Sequence, residues 1–481
     1  MIIENLENIN YPDYIIIGAG PAGITLALEL EKKNLNVFLI EAGGLEVSEK
    51  NQSRYKGVTF GDKYFDLDVT RLSMLGGSSN HWGGNCSPLD EIDLKNWPIN
   101  KAELDNYENR TKKILEIKNS FVKYKTSKLN SFNLNSSEQS NVNFKDKYFD
   151  QLKNSQNILL LLNTNVERFI CSDSNPKIVE KLIINFANQK KEIKFKPNTK
   201  FILSCGGLEN SRILLWSQIN SKDSFLKNLP IGNYWMEHPS GEIGQFIGEK
   251  VKIDELFENK ANFSLVPSKT FLKTKKINNV RFDFFFWEPL NQKSLKHKLK
   301  DLICIAPNLG KKIIESISTQ IVHCTSTVKF NIEQKPDYNN KITLSSSEKD
   351  VYGMPRIELN WNIKDDVFNS LRIALEELGR EFINNGIGRI GIDRFVYDNS
   401  FKNSQDIFAN HHHMGGTVME NDNFSGVVDK NLKIKNTNNL FVIGSSVFPT
   451  SGLSNPTYTI IQLALRLSDH LTSYDNGNAT A

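Results

Sequence analysis

Tyr14-Ile15-Ile16-Ile17-Gly18-Ala19-Gly20-Pro21-Ala22-Gly23-Ile24-Thr25-Leu26 is the stretch that decides how this chain folds. The run from Asp13 to Ile17 is apolar and too short for a helix, so it reads as a strand buried on both faces. It ends in Gly18-x-Gly20-x-x-Gly23, and a helical stretch follows from Ile24 to Lys33. A second apolar run, Asn36 to Ile40, ends in Glu41-Ala42-Gly43-Gly44. Strand, tight turn, helix and strand make one βαβ unit, which predicts a parallel sheet at the start of the chain.

Within that unit each glycine has separate work. Gly18 permits the turn, Gly20 lets backbone approach a pyrophosphate, and Gly23 lets the helix pack closely on the strand. The helix N-terminus, at Pro21 and Ala22, turns N–H groups and partial positive charge toward an anion. Glu41 stands where a carboxylate accepts a ribose hydroxyl, and a carboxylate there disfavours a 2′-phosphate. This fingerprint leaves FAD and NAD both open.

The rest of the chain is read outward from this unit. Gly57 to Pro88 is loop-rich and holds Leu75-Gly76-Gly77-Ser78-Ser79-Asn80-His81-Trp82-Gly83-Gly84-Asn85, too glycine-dense for a helix or strand interior. The polar stretch from Lys118 to Lys147 shows no periodicity and is expected to be an exposed excursion. Ile158 to Ile170, Ile178 to Ala187 and Glu192 to Leu203 read as strands, the last flowing into Ser204-Cys205-Gly206-Gly207 and a helix from Glu209 to Trp216. Between Gly241 and Asn362, aromatic and β-branched residues alternate, as in Val280 to Trp287 and Ile321 to Ile332, which predicts a largely antiparallel sheet. An amphipathic helix is expected over Lys364 to Asn384, a strand over Asn439 to Ile443, a helix over Thr457 to Leu471 and a frayed tail from Asp475. The domains so delimited are a discontinuous nucleotide-binding domain (residues 1–90, 151–236 and 425–481), an excursion (91–150) and a substrate domain (237–424).

Composition agrees with a multidomain globular chain: 481 residues, 39% hydrophobic and 24% charged. A net charge of +4 spread along the chain gives no nucleic-acid arm, and no such partner is expected. Cys86, Cys171, Cys205, Cys304 and Cys324 are scattered without a CxxC pair, which argues against a disulfide framework or a zinc site. The N-terminus shows no leader pattern and no apolar stretch reaches about 18 residues, so the expected location is cytoplasmic and no membrane contact is expected. From Ser294 to Ile317, lysines interleave with Leu and Ile; a lid helix with a solvated face is preferred there to a membrane-facing surface.

Leu75-Gly76-Gly77-Ser78-Ser79-Asn80-His81-Trp82, the Cys205–Gly207 junction, His413 and Asn455 stand in an order that resembles the glucose-methanol-choline (GMC) oxidoreductases. Gly232-Asn233-Tyr234-Trp235-Met236-Glu237-His238-Pro239 and Gly353-Met354-Pro355-Arg356 are similar to further segments of that family, and the motifs sit nearest its pyranose 2-oxidase-like branch. The resemblance implies an α/β fold: a Rossmann-like FAD-binding domain and a second substrate domain on a largely antiparallel β-sheet with helices. It implies bound FAD and removal of a proton and a hydride from a CH–OH carbon, with a sugar, glycoside or related polyol as substrate and O2, a quinone or a redox protein as electron acceptor.

In His411-His412-His413-Met414-Gly415-Gly416-Thr417 the pattern His-x-x-Gly-Thr designates His413 as base, and Asn455, in Ser454-Asn455-Pro456-Thr457, as the group that orients the substrate oxygen. Flavin contacts carried over are Gly76, Gly77, Ser78, Asn80, His81, Trp82, Gly83, Val166, Cys205, Gly206, Gly444, Ser445, Asn455, Pro456 and Thr457, with His81 matching the histidine that bonds the flavin 8-methyl group. Two alternatives share the fold: a lyase of the photodecarboxylase kind, with a fatty-acid tunnel in place of the acid-base pair, and a non-catalytic flavoprotein. A metal centre on the three histidines is not expected, because on a strand only His411 and His413 share a face and no neighbouring Cys or carboxylate completes a set. His238 is expected to pack at a domain edge, and Phe284, Phe286 and Trp287 to be core rather than sugar-stacking residues.

Overall fold

The computed structural model of the protein describes residues 2, 12–220, 225–248, 250–258, 263–285, 326–397 and 407–478. Tyr14–Ile17 (β1), Val37–Ile40 (β2), Ile158–Leu161 (β3), Lys200–Leu203 (β4) and Leu440–Val442 (β5) form a five-stranded parallel sheet in the order β5-β4-β1-β2-β3. Every residue of β1 and β2 is buried, which is why their sequences do not alternate. Pro21–Glu31 (α1) begins at Pro21 rather than Ile24, since proline at the first helical position has a preset φ and no N–H to leave unpaired. Gly206–Ile219 (α2) follows β4 as α1 follows β1.

Two expected strands are each divided. Ile158 to Ile170 breaks at Asn163, whose φ of 52° is left-handed. The N–H groups of Asn163 and Thr164 donate to the carbonyls of Gly43 and Glu41, and Asn165–Cys171 then joins a three-stranded antiparallel sheet with Val179–Phe186 and Gln189–Lys194. Glu192 to Leu203 breaks at Lys196-Pro197-Asn198-Thr199, a turn closed by Thr199 N–H to the Lys196 carbonyl.

The second body is an eight-stranded sheet. Its order is Arg389–Ile392, Pro239–Ile247, Ser326–Ile332, Val280–Phe285, Phe263–Pro267, Phe132–Ser136 and Lys123–Lys125, with Ile407–Ala409 also beside Pro239–Ile247. Asp365–Asn384 (α3) lays Leu371, Leu375, Leu378 and Phe382 into the same core as Phe246 and Phe282. The last described element is Pro456–Asn478 (α4), which returns to α1 and runs into the stretch expected to fray from Asp475.

The stretch 118–147 is therefore not an exposed excursion. Phe132 and Leu134 are fully buried, and Phe132–Ser136 pairs antiparallel with Phe263–Pro267. Its alternation, Phe-Asn-Leu-Asn-Ser, is a two-residue period overshadowed by the surrounding Asn, Ser and Lys. Gly57–Gly61, from the first stretch of the chain, likewise runs parallel to Pro355–Trp361. Phe284 stacks on Phe382 at 5.7 Å, inside the core. Phe286, Trp287, Cys304, Cys324 and the Ser294 to Ile317 segment lie outside the described residues.

Candidate active site

A cavity of about 560 Å³ opens beyond the carboxyl ends of β1, β2 and β4, the place where open α/β sheets hold ligands. Gly18, Gly20, Pro21, Ala22, Glu41, Gly77, Ser78, His81, Trp82, Gly83, Val166, Cys205, Gly206, His413, Gly444, Ser445, Asn455, Pro456 and Thr457 all line it. Three of the residues singled out in the sequence do not. Gly23 stands behind the wall, where a Cβ would fall 2.0 Å from the Gly18 carbonyl oxygen, so its place is helix-on-strand packing. Gly76 takes a left-handed φ of 85° and makes the turn possible. Asn80 donates its amide to the carbonyls of Leu75 (2.9 Å) and Gly77 (2.7 Å), and thus braces the loop from outside the cavity.

The walls suit a dinucleotide. A Cβ on Gly20, Gly83 or Gly206 would meet nothing within 4 Å, so these glycines leave a cradle that a ligand would fill. Helix α1 starts at Gly20 and α2 at Cys205 with no side-chain cap, and the first N–H groups of both remain available to an anion. Glu41 is buried, its Oε2 accepting from Ala19 N–H (2.9 Å) and its Oε1 from Gly43 N–H (2.8 Å). Burial raises its pKa, and those two hydrogen bonds oppose the rise.

Two cavity residues were missed in the sequence. Arg54 and Arg71 are buried against the cavity, and each has Nε and Nη1 without a protein partner. Arg71 lies over the Tyr55 ring at 4.2 Å and its Nη2 meets Glu209 at 3.0 Å; Arg212 bonds both Glu209 (3.3 Å) and Asp350 (2.8 Å). Unpaired buried guanidinium N–H groups are costly unless an acceptor arrives, and a diphosphate is such an acceptor. No spacing rule ties either arginine to the glycine motifs, which is why the sequence did not disclose them. FAD, with its diphosphate, ribose and planar ring, fits this set of donors and openings.

At the far end stand the three histidines, and their rings diverge. His411, at a left-handed φ of 59°, meets the Phe65 ring edge-on at 4.6 Å. His413 packs near Trp235 (5.9 Å) and Tyr64 (6.4 Å), with Nε2 fully buried and unpartnered; burial, then Arg71, holds its pKa well below the imidazole range. His412 is half-buried and lines the cavity, and its Nδ1 lies 2.9 Å from Nδ1 of His238. Nε2 of His412 has no partner among the described residues, and His412 and His413 both line the cavity. Burial first, with His238 and Arg281 adding to it, keeps His412 well below the ordinary imidazole pKa, hence neutral near pH 7. Asn455, beside the start of α4, has Oδ1 buried without a partner.

His413, expected as the base, lines the cavity with Nε2 unpartnered, and its neighbour His412 is held by His238. His238, expected at a domain edge, is fully buried and touches His412.

The family model described as GMC oxidoreductase matches residues 336–464, and one described as lycopene cyclase protein matches residues 13–55, which contain the Gly18–Gly23 turn. The large subunit of fructose dehydrogenase from Gluconobacter japonicus is 32% identical over 161 residues, 34% of this chain and 27% of the relative's length. Among solved structures, a formate oxidase aligns with a TM-score of 0.59 at 15% identity, covering 97% of this chain and 99% of that one. A pyridoxine 4-oxidase from Mesorbium loti aligns at 0.58 and 14% identity, covering 96% and 99%. At such identities the structural likeness speaks for the fold.

Proposed function

We propose that the chain is an FAD-dependent enzyme of the GMC oxidoreductase kind that oxidises the CH–OH group of a small alcohol of the sugar or polyol class. The observation that carries the reading is that His413 and Asn455, whose Nε2 and Oδ1 are buried without protein partners, line the same cavity as the Gly18–Gly20 turn, Glu41 and the unpaired arginines. A site with this much unsatisfied polarity is built to be completed by ligands.

FAD supplies the hydride acceptor. When FAD is bound, Gly18, Gly20, Glu41, Arg54 and Arg71 would hold its nucleotide end, and Asn455 with the N-terminus of α4 would stabilise the negative charge of the reduced ring. His413 Nε2 takes the hydroxyl proton of the substrate, and the Asn455 amide holds the same oxygen without titrating. The His413 carbonyl accepts the Ser445 hydroxyl at 2.5 Å, which ties the backbone of the base to the loop after β5. The sugar class rests on the fructose dehydrogenase likeness and on the polar rim of His411, His412 and Asn410, which suits a polyhydroxylated substrate better than a fatty-acid tunnel would. The electron acceptor is O2, a quinone or a redox protein, and no helix among the described residues is long and apolar enough to cross a membrane.

The test is anaerobic reduction of the flavin-loaded protein by a panel of free sugars, glycosides and simple alcohols. Bleaching by one class is expected, and His413→Ala should slow it about 10²- to 10⁴-fold with flavin retained. No bleaching by any alcohol would sink the reading. Loss with His412→Ala and not with His413→Ala would move the base to His412.

A further inference from the structure

Nε2 of His413 is buried without a partner, so no hydrogen bond at that atom fixes the direction of the ring. The direction is set by the backbone that carries the ring and by what packs on it, and both lead to one side chain. Glu237 is fully buried, and its Oε1 accepts the backbone N–H of His412 and that of His238, each at 2.8 Å. Its Oε2 accepts the Tyr64 hydroxyl at 2.9 Å. The Tyr64 ring stands 6.4 Å from that of His413, and Trp235, 5.6 Å from Tyr64, stands 5.9 Å from it.

The backbone needs such a hold. His411 is at a left-handed φ of 59°, which costs any residue but glycine free energy and persists only where the surroundings impose it. The residues on both sides of His413 are tied to one short segment: His412 N–H to the Glu237 carboxylate, and Met414 to Met236 through two backbone hydrogen bonds of 2.8 and 3.0 Å. Without Oε1 the tie after the base would remain and the tie before it would be lost, leaving the peptide between free to turn. We propose that Glu237 is a positioning residue: its one carboxylate fixes both the peptide that leads into His413 and the Tyr64 ring beside the imidazole, and so keeps Nε2 directed at the substrate hydroxyl. The proposal rests on the reading of His413 as the base.

Glu237 also links the base to Asn455, which stands on a separate loop. Its backbone N–H donates to Gln334 Oε1 at 3.1 Å, and the same oxygen accepts Trp361 Nε1–H at 2.9 Å. The Gln334 N–H donates to the Ser451 hydroxyl oxygen (3.1 Å), and that hydroxyl donates to the Gln334 carbonyl (2.9 Å). His238, next in the chain, meets the Gly452 carbonyl through Nε2 at 2.9 Å. Ser451 and Gly452 belong to the loop that carries Asn455, so a hydrogen-bonded path joins the two polar groups of the site through residues 237, 238 and 334. The His238, His412 and Tyr64 donors that face the Glu237 side chain all call for acceptors, which a carboxylate offers at both oxygens and an amide at one.

The test compares Glu237→Leu, which removes both acceptors, with Glu237→Gln, whose amide oxygen can take the place of Oε1 while its N–H meets the Tyr64 oxygen. In stopped-flow reduction of the holoprotein by the alcohol class that bleaches wild type, Glu237→Leu should lower the limiting rate about 100-fold with the half-saturating concentration little changed, and Glu237→Gln should largely restore it. Nitrogen NMR of the ¹⁵N-histidine-labelled holoprotein, with the His413 ring signals assigned by their loss in His413→Ala, should give one sharp set in wild type and Glu237→Gln and a broadened or doubled set in Glu237→Leu. Tyr64→Phe, which cuts only the contact with Oε2, should slow reduction about tenfold and replaces Glu237→Leu if that variant does not fold. A wild-type rate in Glu237→Leu, or in Tyr64→Phe where it stands in, overturns the proposal, as does a Glu237→Gln protein as slow as Glu237→Leu. Full-rate reduction by His413→Ala overturns the base assignment instead, and the NMR comparison then decides by itself whether Glu237 holds the ring.

Discussion

Gly207 and His413 are in contact with no space between them: a Cβ at position 207 would stand 2.3 Å from the His413 carbonyl oxygen and 2.6 Å from its Cβ. The first turn of α2 is thereby the floor on which the histidine segment rests. Gly207→Ala should displace that segment, lowering stability by about 1–3 kcal/mol as overpacking does. Thermal unfolding and flavin reduction together check this. An unchanged melting temperature with full activity would show that the contact yields without cost.

Glu209 joins Arg71 and Arg212 inside the protein. Burial alone would raise its pKa, but Arg212, Arg71 and Arg54 reverse the sign and lower it. A lowered folded pKa means stability present above the unfolded carboxylate value and lost as pH falls through the folded one. Glu209→Gln should therefore cost about 3–5 kcal/mol at neutral pH, because it strands the guanidinium groups, and the difference should shrink in acid. Chemical denaturation at two pH values measures both.

Glu237 carries the opposite sign. Burial raises its pKa to about 7, against the hydrogen bonds it accepts from His238, His412 and Tyr64. A raised folded pKa gives stability that is full below the unfolded value, near 4.3, and lost as pH rises through about 7. Glu237→Gln should flatten that part of the pH dependence of the melting temperature; an unaltered slope would locate the titration elsewhere.

Asn455→Ala should leave flavin bound and slow its reduction by substrate, since the lost amide lines the cavity and can hold the reacting oxygen without changing charge. The visible spectrum reports the first and stopped-flow bleaching the second. Loss of flavin would instead make Asn455 a cofactor anchor.

His81 lines the cavity from an exposed position, and burial lowers its pKa, so the neutral ring suited to bonding carbon is available. Acid precipitation should leave the yellow colour in the pellet for the native protein and in the supernatant for His81→Ala. Colour in the supernatant for both would mean that FAD is held without a covalent bond.

Most of the cofactor wall was legible because glycine spacing, a strand before and a helix after are consequences of backbone geometry, which the local sequence encodes. Asn163 and Pro197 were also legible as turn formers and were passed over, since the apolar runs on either side looked continuous. Arg54, Arg71 and His238 were not legible. Their importance comes from partners distant in the chain: Gly452 lies 214 residues from His238, and Glu209 lies 138 from Arg71.

The strand Gly57–Gly61 pairs with Pro355–Trp361, and Phe132–Ser136 with Phe263–Pro267, although both first partners are threaded from the part of the chain that builds the parallel sheet. The two halves are stitched together along their backbones, as cloth is along a seam. A molecule so sewn is joined by several crossings of the chain and not by one hinge, since those strands lie in other sheets than their neighbours in sequence. Entry and exit then fall to single loops at the rim of the cavity, and changes of substrate range are to be sought there, without disturbing the seam.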